Sequence, residues 1–243
     1  MTLKQNAVVC GIAWFEETFR QLDDSVVFEW SCRDGERLAE GTEVCSVRGA
    51  ARAILTGERT ALNFLQTLSA TATSARTFVD AVAGTGATIL DTRKTIPGLR
   101  SAQKYAVRCG GATNHRIGLF DAILIKENHI AALGSIDAAI ERAHVAADSL
   151  LVEVEVETMD QVERALQSQA GRLLLDNFST ETMRATVALR DRLAPDKELE
   201  ASGGIRLENV RAIAETGVDY ISVGAMTKSI EAVDLSLRIV ADV

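Results

Sequence analysis

Past Arg59 the apolar positions fall into a rhythm. The stretch Ala61–Ala83 places Leu62, Leu65, Leu68, Ala72, Ala75, Phe78, Val79 and Val82 at helical spacing, which predicts one long amphipathic helix. After it come short apolar runs, each closed by a polar residue or glycine and followed by helix-like sequence. The runs are 87–90 ending at Asp91, 122–125 ending at Lys126, 151–156 with Glu153, Glu155 and Glu157 interleaved, 173–175 ending at Asp176, 198–201 ending at Ser202-Gly203-Gly204, and 220–223 ending at Gly224. Helices are expected over 158–166 and 207–215, the latter with Val210, Ile213 and Ala214 on one face.

Strands alternating with helices at this pitch imply βα units on a parallel sheet. Polar residues at nearly every strand end favour a barrel over an open sheet, because barrel sites assemble at the carboxyl ends of the strands. At about 27 residues per unit, residues 61–243 hold six or seven units rather than eight, so an irregular, incomplete α/β barrel is expected. The segment before it, to about Glu58, reads as β with one helix: a short stripe at Phe15, Phe19 and Leu22, a strand at Val26–Trp30, then strands separated by Asp34-Gly35, Gly41 and Gly49. The expected division is a small β-sandwich-like domain over 1–66, onto which 226–243 pack back, and a barrel over 67–225. A lipoyl-type carrier module is excluded, since no lysine occurs between Lys4 and Lys94.

Composition sharpens this picture. The chain has 243 residues, 47% of them apolar, enough for a sizeable core. Its net charge of −8 argues against a general nucleic-acid or anionic-membrane surface, though not against a local basic pocket. The apolar stretch Ala7–Phe15 is nine residues long, against roughly 20 for a membrane span, and lacks a basic leader, so neither a span nor a secretory signal is expected. Cys10, Cys32, Cys45 and Cys109 show no metal or redox spacing and read as small reduced core side chains of a cytosolic protein.

Three constellations carry chemistry. Arg93-Lys94, His115-Arg116 and Lys126 sit at or near strand ends and would converge at one barrel mouth. Such a cluster calls for an anionic ligand, guanidinium forks for carboxylates and lysines as point charges. Glu153, Glu155 and Glu157 alternate, so they share one face, and that face is the barrel interior, because the helix layer would not accept three carboxylates. With Asp176 they point to Mg²⁺ beside a phosphorylated substrate, or to sugar hydroxyls. Ser202-Gly203-Gly204 and Gly224-Ala225, on successive final strands, suit a phosphate held by backbone amides.

These residues carry a resemblance. Asp91–Arg100, Lys104-Tyr105-Ala106-Val107, Cys109-Gly110-Gly111, Asn114-His115-Arg116, Leu124–His129, Glu153–Glu157, Leu175–Phe178, Ala201–Ile205 and Val223-Gly224-Ala225 together resemble the quinolinate phosphoribosyltransferases, in order and over essentially the whole chain. The resemblance implies a type II phosphoribosyltransferase fold, a homodimer in the cytoplasm, and Mg²⁺ with phosphoribosyl pyrophosphate. The implied reaction converts quinolinate and phosphoribosyl pyrophosphate to nicotinate mononucleotide, pyrophosphate and CO2, in NAD biosynthesis. It implies that Arg59, reaching into the partner's site, Arg93, His115, Arg116 and Lys126 hold the quinolinate carboxylates. Lys94, Glu155 and Asp176 would surround phosphoribosyl pyrophosphate and its Mg²⁺, with Glu155 and Asp176 as direct or outer metal ligands. Ser202, Gly203, Gly204 and Gly224, flanked by Val223 and Ala225, would cradle the 5′-phosphate. Against the family pattern the chain is expected to be short at the front by a few dozen residues. Two other readings are a molybdenum-transport-associated paralogue, disfavoured by the intact Asn-His-Arg and Lys-Glu-Asn-His motifs, and a non-catalytic phosphosugar-binding protein, disfavoured by the intact Arg93-Lys94, Glu155 and Asp176.

Overall fold

The computed structural model describes residues 1–147 and 149–239. In chain order the first elements are β1 (Thr2–Leu3), β2 (Ala7–Val8), α1 (Ile12–Arg20), β3 (Val27–Trp30), β4 (Arg37–Leu38), β5 (Cys45–Arg48) and α2 (Ala51–Ala81). Then follow β6 (Thr88–Leu90), α3 (Arg100–Cys109), β7 (Ile123–Ile125), α4 (Glu127–Leu133), α5 (Ile136–Ala146) and β8 (Val152–Val156). The remainder is α6 (Met159–Gln167), β9 (Arg172–Asp176), α7 (Thr180–Leu193), β10 (Glu198–Ser202), α8 (Leu207–Ala214), β11 (Tyr220–Ser222), α9 (Ala225–Lys228) and β12 (Leu235–Ser236). Two compact units result. One contains 1–77, 94–112 and the described residues from 226; the other contains 78–93 and 113–225.

In the first unit the strands are short and pair antiparallel in twos, β1 with β12, β2 with β4 and β3 with β5. The pairing of Leu3 with Leu235 brings the chain's late segment onto its first strand. Phe15 and Phe19 lie one helical turn apart and are fully buried, with Phe28 and Trp30 against them at ring separations of 5.3–6.2 Å. Asp34 caps α1, its Oδ1 accepting from the amides of Gly11 and Ile12 at 3.0 and 3.2 Å.

α2 begins ten residues earlier than the apolar stripe indicates. Gly57 hides that start, since glycine inside a helix is unfavourable by about 1 kcal/mol. Packing explains it: a β-carbon there would lie 2.8 Å from the Phe19 ring, so only glycine lets α2 approach α1. The segment 94–112, expected in the barrel, belongs to this first unit.

The second unit holds a six-stranded parallel sheet in the order β6-β11-β10-β9-β8-β7. β6 and β7 follow one another in sequence yet form opposite edges, so the barrel stops at six strands and stays open between them. Val152, Val154, Val156, Leu173, Leu175, Leu199 and Ala201 are all buried on the helix side, each worth about 1–3 kcal/mol relative to exposure for the larger side chains. Val162, Ala165 and Leu166 of α6, Met183 of α7 and Val210 and Ile213 of α8 cover them. The helices start where the sequence offers caps: Ser135, Thr158 and Ser179 accept from backbone amides three residues on. No helix among the described residues is long and apolar enough to cross a membrane.

Candidate active site at the carboxyl ends of the parallel strands

Strand register selects the inward face. Glu153 pairs with Leu124 and Arg172, Arg172 with Glu198, and Glu155 with Leu174, which in turn pairs with Glu200. Paired residues of neighbouring strands share a face, so Glu153, Glu155, Arg172, Leu174, Asp176, Glu198, Glu200 and Ser202 line one interior, while Val152, Val154, Val156, Leu173, Leu175 and Leu199 face the helices. Glu153 and Glu200 have no exposure at all, Glu155 is 6% exposed, and Glu157, one residue past its strand, is exposed. The three glutamates thus run from the buried interior to the mouth, as alternation requires.

Lys126 follows β7 in the register that faces β8, and its Nζ donates to Glu155 Oε2. Burial raises the Glu155 pKa, the Lys126 ammonium opposes it, and Glu127 and Asp176 add to the rise. Carboxylate oxygens of Glu155, Glu157 and Asp176 all lie within 4.8 Å of one another. An all-oxygen, all-carboxylate set of this span fits a hard divalent cation such as Mg²⁺. Arg93 and Arg116 also belong to this unit. Burial and then the Arg93 charge lower the Arg116 pKa, so the two guanidinium groups are close enough to disfavour each other. Such a pair is relieved by an anion.

His115 sits deeper. Its Nε2 is 3.0 Å from Glu153 Oε2 and 3.3 Å from Glu200 Oε2. Burial lowers the imidazole pKa, but the two glutamates outweigh it and lift it to about 9. Burial and then the Glu200 charge push Glu153 to about 7, whereas His115 outweighs burial at Glu200 and lowers its pKa. On the other ring edge the Arg116 amide donates to Nδ1 at 2.7 Å, which only an unprotonated Nδ1 can accept. The proton favoured by the carboxylates therefore competes with that amide contact.

The raised pKa has a defined sign. Stability from protonated His115 is complete below its ordinary pKa of about 6.5 and is lost as pH rises through about 9. His115→Gln is expected to remove that contribution, seen as a smaller fall in Tm between pH 6 and pH 9.5 than in the unaltered chain.

At the next strand end, Asp176 pairs with Ser202 and the Asn177 amide donates to the Ser202 carbonyl at 3.0 Å. Gly203 has φ +88°, and a β-carbon on it would lie 2.2 Å from Asn177 Oδ1 and 2.8 Å from Asn177 N. Glycine is required there on both counts. Gly204, at φ +59°, faces open space. The turn thus presents bare backbone just before α8, while Val223 is buried and Gly224 and Ala225 are half-buried after β11. Gly203→Ala is expected to cost about 2–4 kcal/mol, measured by chemical denaturation, because the clash is with backbone as well as side chain.

Arg59 and Lys94 lie in the first unit. Arg59 is exposed on α2; Lys94 is exposed, and its carbonyl accepts from Thr227 Oγ1 at 2.8 Å. Sequence reasoning passed over Glu200, Arg172 and the anchoring role of Asp91. The signal for the first was present, since Glu198, Glu200 and Ser202 alternate just as Glu153, Glu155 and Glu157 do. Asp91 is fully buried, accepting from Asn114 Nδ2 and from the His115 amide at 2.8 Å each.

An unclosed parallel barrel carrying carboxylates, two facing arginines and a glycine turn at its strand ends is the framework of a transferase acting on anionic substrates. Comparison with known proteins gives the family. Residues 71–238 match the model for quinolinate phosphoribosyl transferase, C-terminal domain, and residues 1–69 that for the N-terminal domain. Nicotinate-nucleotide pyrophosphorylase [carboxylating] of Mycobacterium leprae is 49% identical over 204 residues, 84% of this chain and 72% of that protein. The probable enzyme of the same name from Synechocystis is 41% identical, over 98% of this chain and 81% of its own length. The solved nicotinate-nucleotide pyrophosphorylase from Francisella tularensis superposes with a TM-score of 0.94 at 45% identity, over 97% of this chain and 83% of that one. The chain belongs to the quinolinate phosphoribosyl transferase family.

Proposed function

We propose that this chain transfers the phosphoribosyl group of phosphoribosyl pyrophosphate to quinolinate, with loss of CO2, giving nicotinate mononucleotide and pyrophosphate for NAD biosynthesis. The observation that carries the reading is the presence in one unit of Arg116, with the Arg93 charge acting against its own, and of the carboxylate set Glu155, Glu157 and Asp176. The first pair suits a dicarboxylate and the second a metal-bound pyrophosphate.

In this reading Arg93, Arg116 and Lys126 orient the two carboxylates so that the pyridine nitrogen faces the anomeric carbon. Positioning two reactants is worth up to about 7–11 kcal/mol of barrier. The nitrogen's lone pair forms the new C–N bond as the bond from the anomeric carbon to pyrophosphate oxygen breaks. Positive charge develops on the ribose, and Glu155 and Asp176 stabilise it electrostatically. When the adjacent carboxylate leaves as CO2, the electron pair stays on that ring carbon, stabilised by the neighbouring pyridinium charge, and takes up a proton from solvent to form the new C–H bond, so that step needs no cofactor. Glu155, Glu157 and Asp176 would hold Mg²⁺, which when bound neutralises the leaving pyrophosphate. Lys126 would be released from Glu155 as the site fills. Ser202, Gly203, Gly204 and Gly224, with Val223 and Ala225 beside them, would hold the 5′-phosphate. His115, whose Nε2 faces Glu153 and Glu200 and whose Nδ1 accepts from the Arg116 amide, would hold Arg116 in place beside the carboxylate that the family resemblance assigns to both. Arg59 and Lys94 keep the roles the family resemblance gives them: Arg59 for quinolinate in the partner's site of a homodimer, Lys94 for phosphoribosyl pyrophosphate. A cytoplasmic location fits four free thiols.

The test is product analysis. The full chain with quinolinate, phosphoribosyl pyrophosphate and Mg²⁺ should yield nicotinate mononucleotide by mass. Calorimetric binding of both substrates with no product would instead favour a non-catalytic phosphosugar-binding protein.

A further inference from the structure

Glu153 and Glu200 have no part in the steps above, yet both are fully buried. Burying two carboxylates costs several kcal/mol each unless the partners compensate. Among the described residues no hydrogen-bond donor meets any of their four oxygens at bonding geometry. Compensation comes from charge at close range: His115 Nε2 at 3.0 and 3.3 Å, and Arg172 Nη1 at 3.5 Å from Glu200. Arg172 is already committed below. Its Nη2 and Nε donate to Glu198 at 2.7 and 3.0 Å, and its guanidinium lies 4.1 Å from the centre of the Tyr220 ring. His115 is therefore the group that this buried pair shares.

What the ring does next gives the pair a role. A histidine whose Nε2 faces carboxylates has its tautomer set by them. The proton stays on Nε2, and Nδ1 is left to accept from the Arg116 amide at 2.7 Å. The same turn is held from β6, where Asp91 takes the His115 amide and the Asn114 side chain. Residues 114–116 are thus pinned from two sides, and Arg116, with its guanidinium Nη1 3.5 Å from the Ala122 carbonyl, leaves this pinned turn toward Arg93.

We infer that Glu153 and Glu200 are positioning residues for Arg116: they fix the His115 ring through Nε2, and the ring fixes the turn that aims the guanidinium. This rests on the reading that Arg116 holds a quinolinate carboxylate. The charged groups facing His115 are Glu153 from β8, Glu200 from β10, Arg172 from β9, Asp91 from the end of β6, and Arg116 with Arg93 beside it. A purely structural network would stabilise the sheet and leave substrate affinity alone.

Glu200→Gln and Glu153→Gln keep the side-chain shape and remove the charge. By calorimetry on the full chain, each is expected to weaken quinolinate binding about tenfold, while phosphoribosyl pyrophosphate binding stays within about twofold. In an Arg116→Gln background the same change should cost less than about twofold, because residues acting through one another are not additive. A lowered Tm with unchanged quinolinate affinity, or the full loss persisting without Arg116, would overturn the inference. If Glu200→Gln does not fold, Glu153→Gln carries the test. If the unaltered chain binds no quinolinate, the failure belongs to the proposed function, and imidazole ¹⁵N shifts decide the positioning role. An Nε2–H tautomer held in the unaltered chain and released in the Gln variants supports it; one tautomer unchanged in all three overturns it.

Discussion

Arg116→Ala is expected to raise the quinolinate KM by about two orders of magnitude and leave that of phosphoribosyl pyrophosphate nearly unchanged. The reason is local. A guanidinium–carboxylate contact in a partly desolvated site is worth about 2–3 kcal/mol, and tenfold in affinity is about 1.4 kcal/mol. Burial and then the Arg93 charge act against the charge of Arg116, so a dicarboxylate bound there relieves a repulsion as well as forming contacts. Removing Arg116 loses both gains. Steady-state kinetics with each substrate varied separately checks this, and equal loss for both substrates would remove the role assigned to Arg116.

Glu155→Gln is expected to lower kcat by about 10²–10³-fold, with a smaller change in either KM. Glu155 lies where Lys126, Glu157 and Asp176 meet, and it loses two things on neutralisation. It no longer stabilises charge developing on the ribose, and it becomes a poor partner for a divalent cation. The half-saturating Mg²⁺ concentration should rise alongside the fall in kcat. An unchanged Mg²⁺ requirement with full kcat would show that Glu155 serves only as the counterion of Lys126.

The inward alternation of Glu153, Glu155 and Glu157 was legible in the chain because a two-residue period can be satisfied only by a strand, and carboxylates cannot face a layer of apolar helices. The six strand ends were legible for the same reason. Glu200 was not, although it alternates too, because its meaning depends on His115, which reaches it from a loop 85 residues earlier. The start of α2 was hidden by Gly57, whose presence is explained only by the Phe19 ring that it approaches. The placement of 94–112 with the first unit has a similar origin. Its anchors are contacts distant in sequence, such as Gln103 Nε2 donating to the Thr227 carbonyl at 2.8 Å and Tyr105 Oη donating to Asp34 at 2.8 Å. Periodicity reports which face of an element is buried, and it is silent about which element covers that face.

In the proposed reaction one site both transfers phosphoribosyl and releases the carboxylate next to the pyridine nitrogen. Its most direct test is a paired measurement on the full chain with Mg²⁺, phosphoribosyl pyrophosphate and quinolinate carrying ¹⁴C in the carboxylate at ring position 2. Labelled CO2 and pyrophosphate are expected to appear together in equal amounts, and only when quinolinate is present. Pyrophosphate released without labelled CO2, or neither product with both substrates bound, would contradict it.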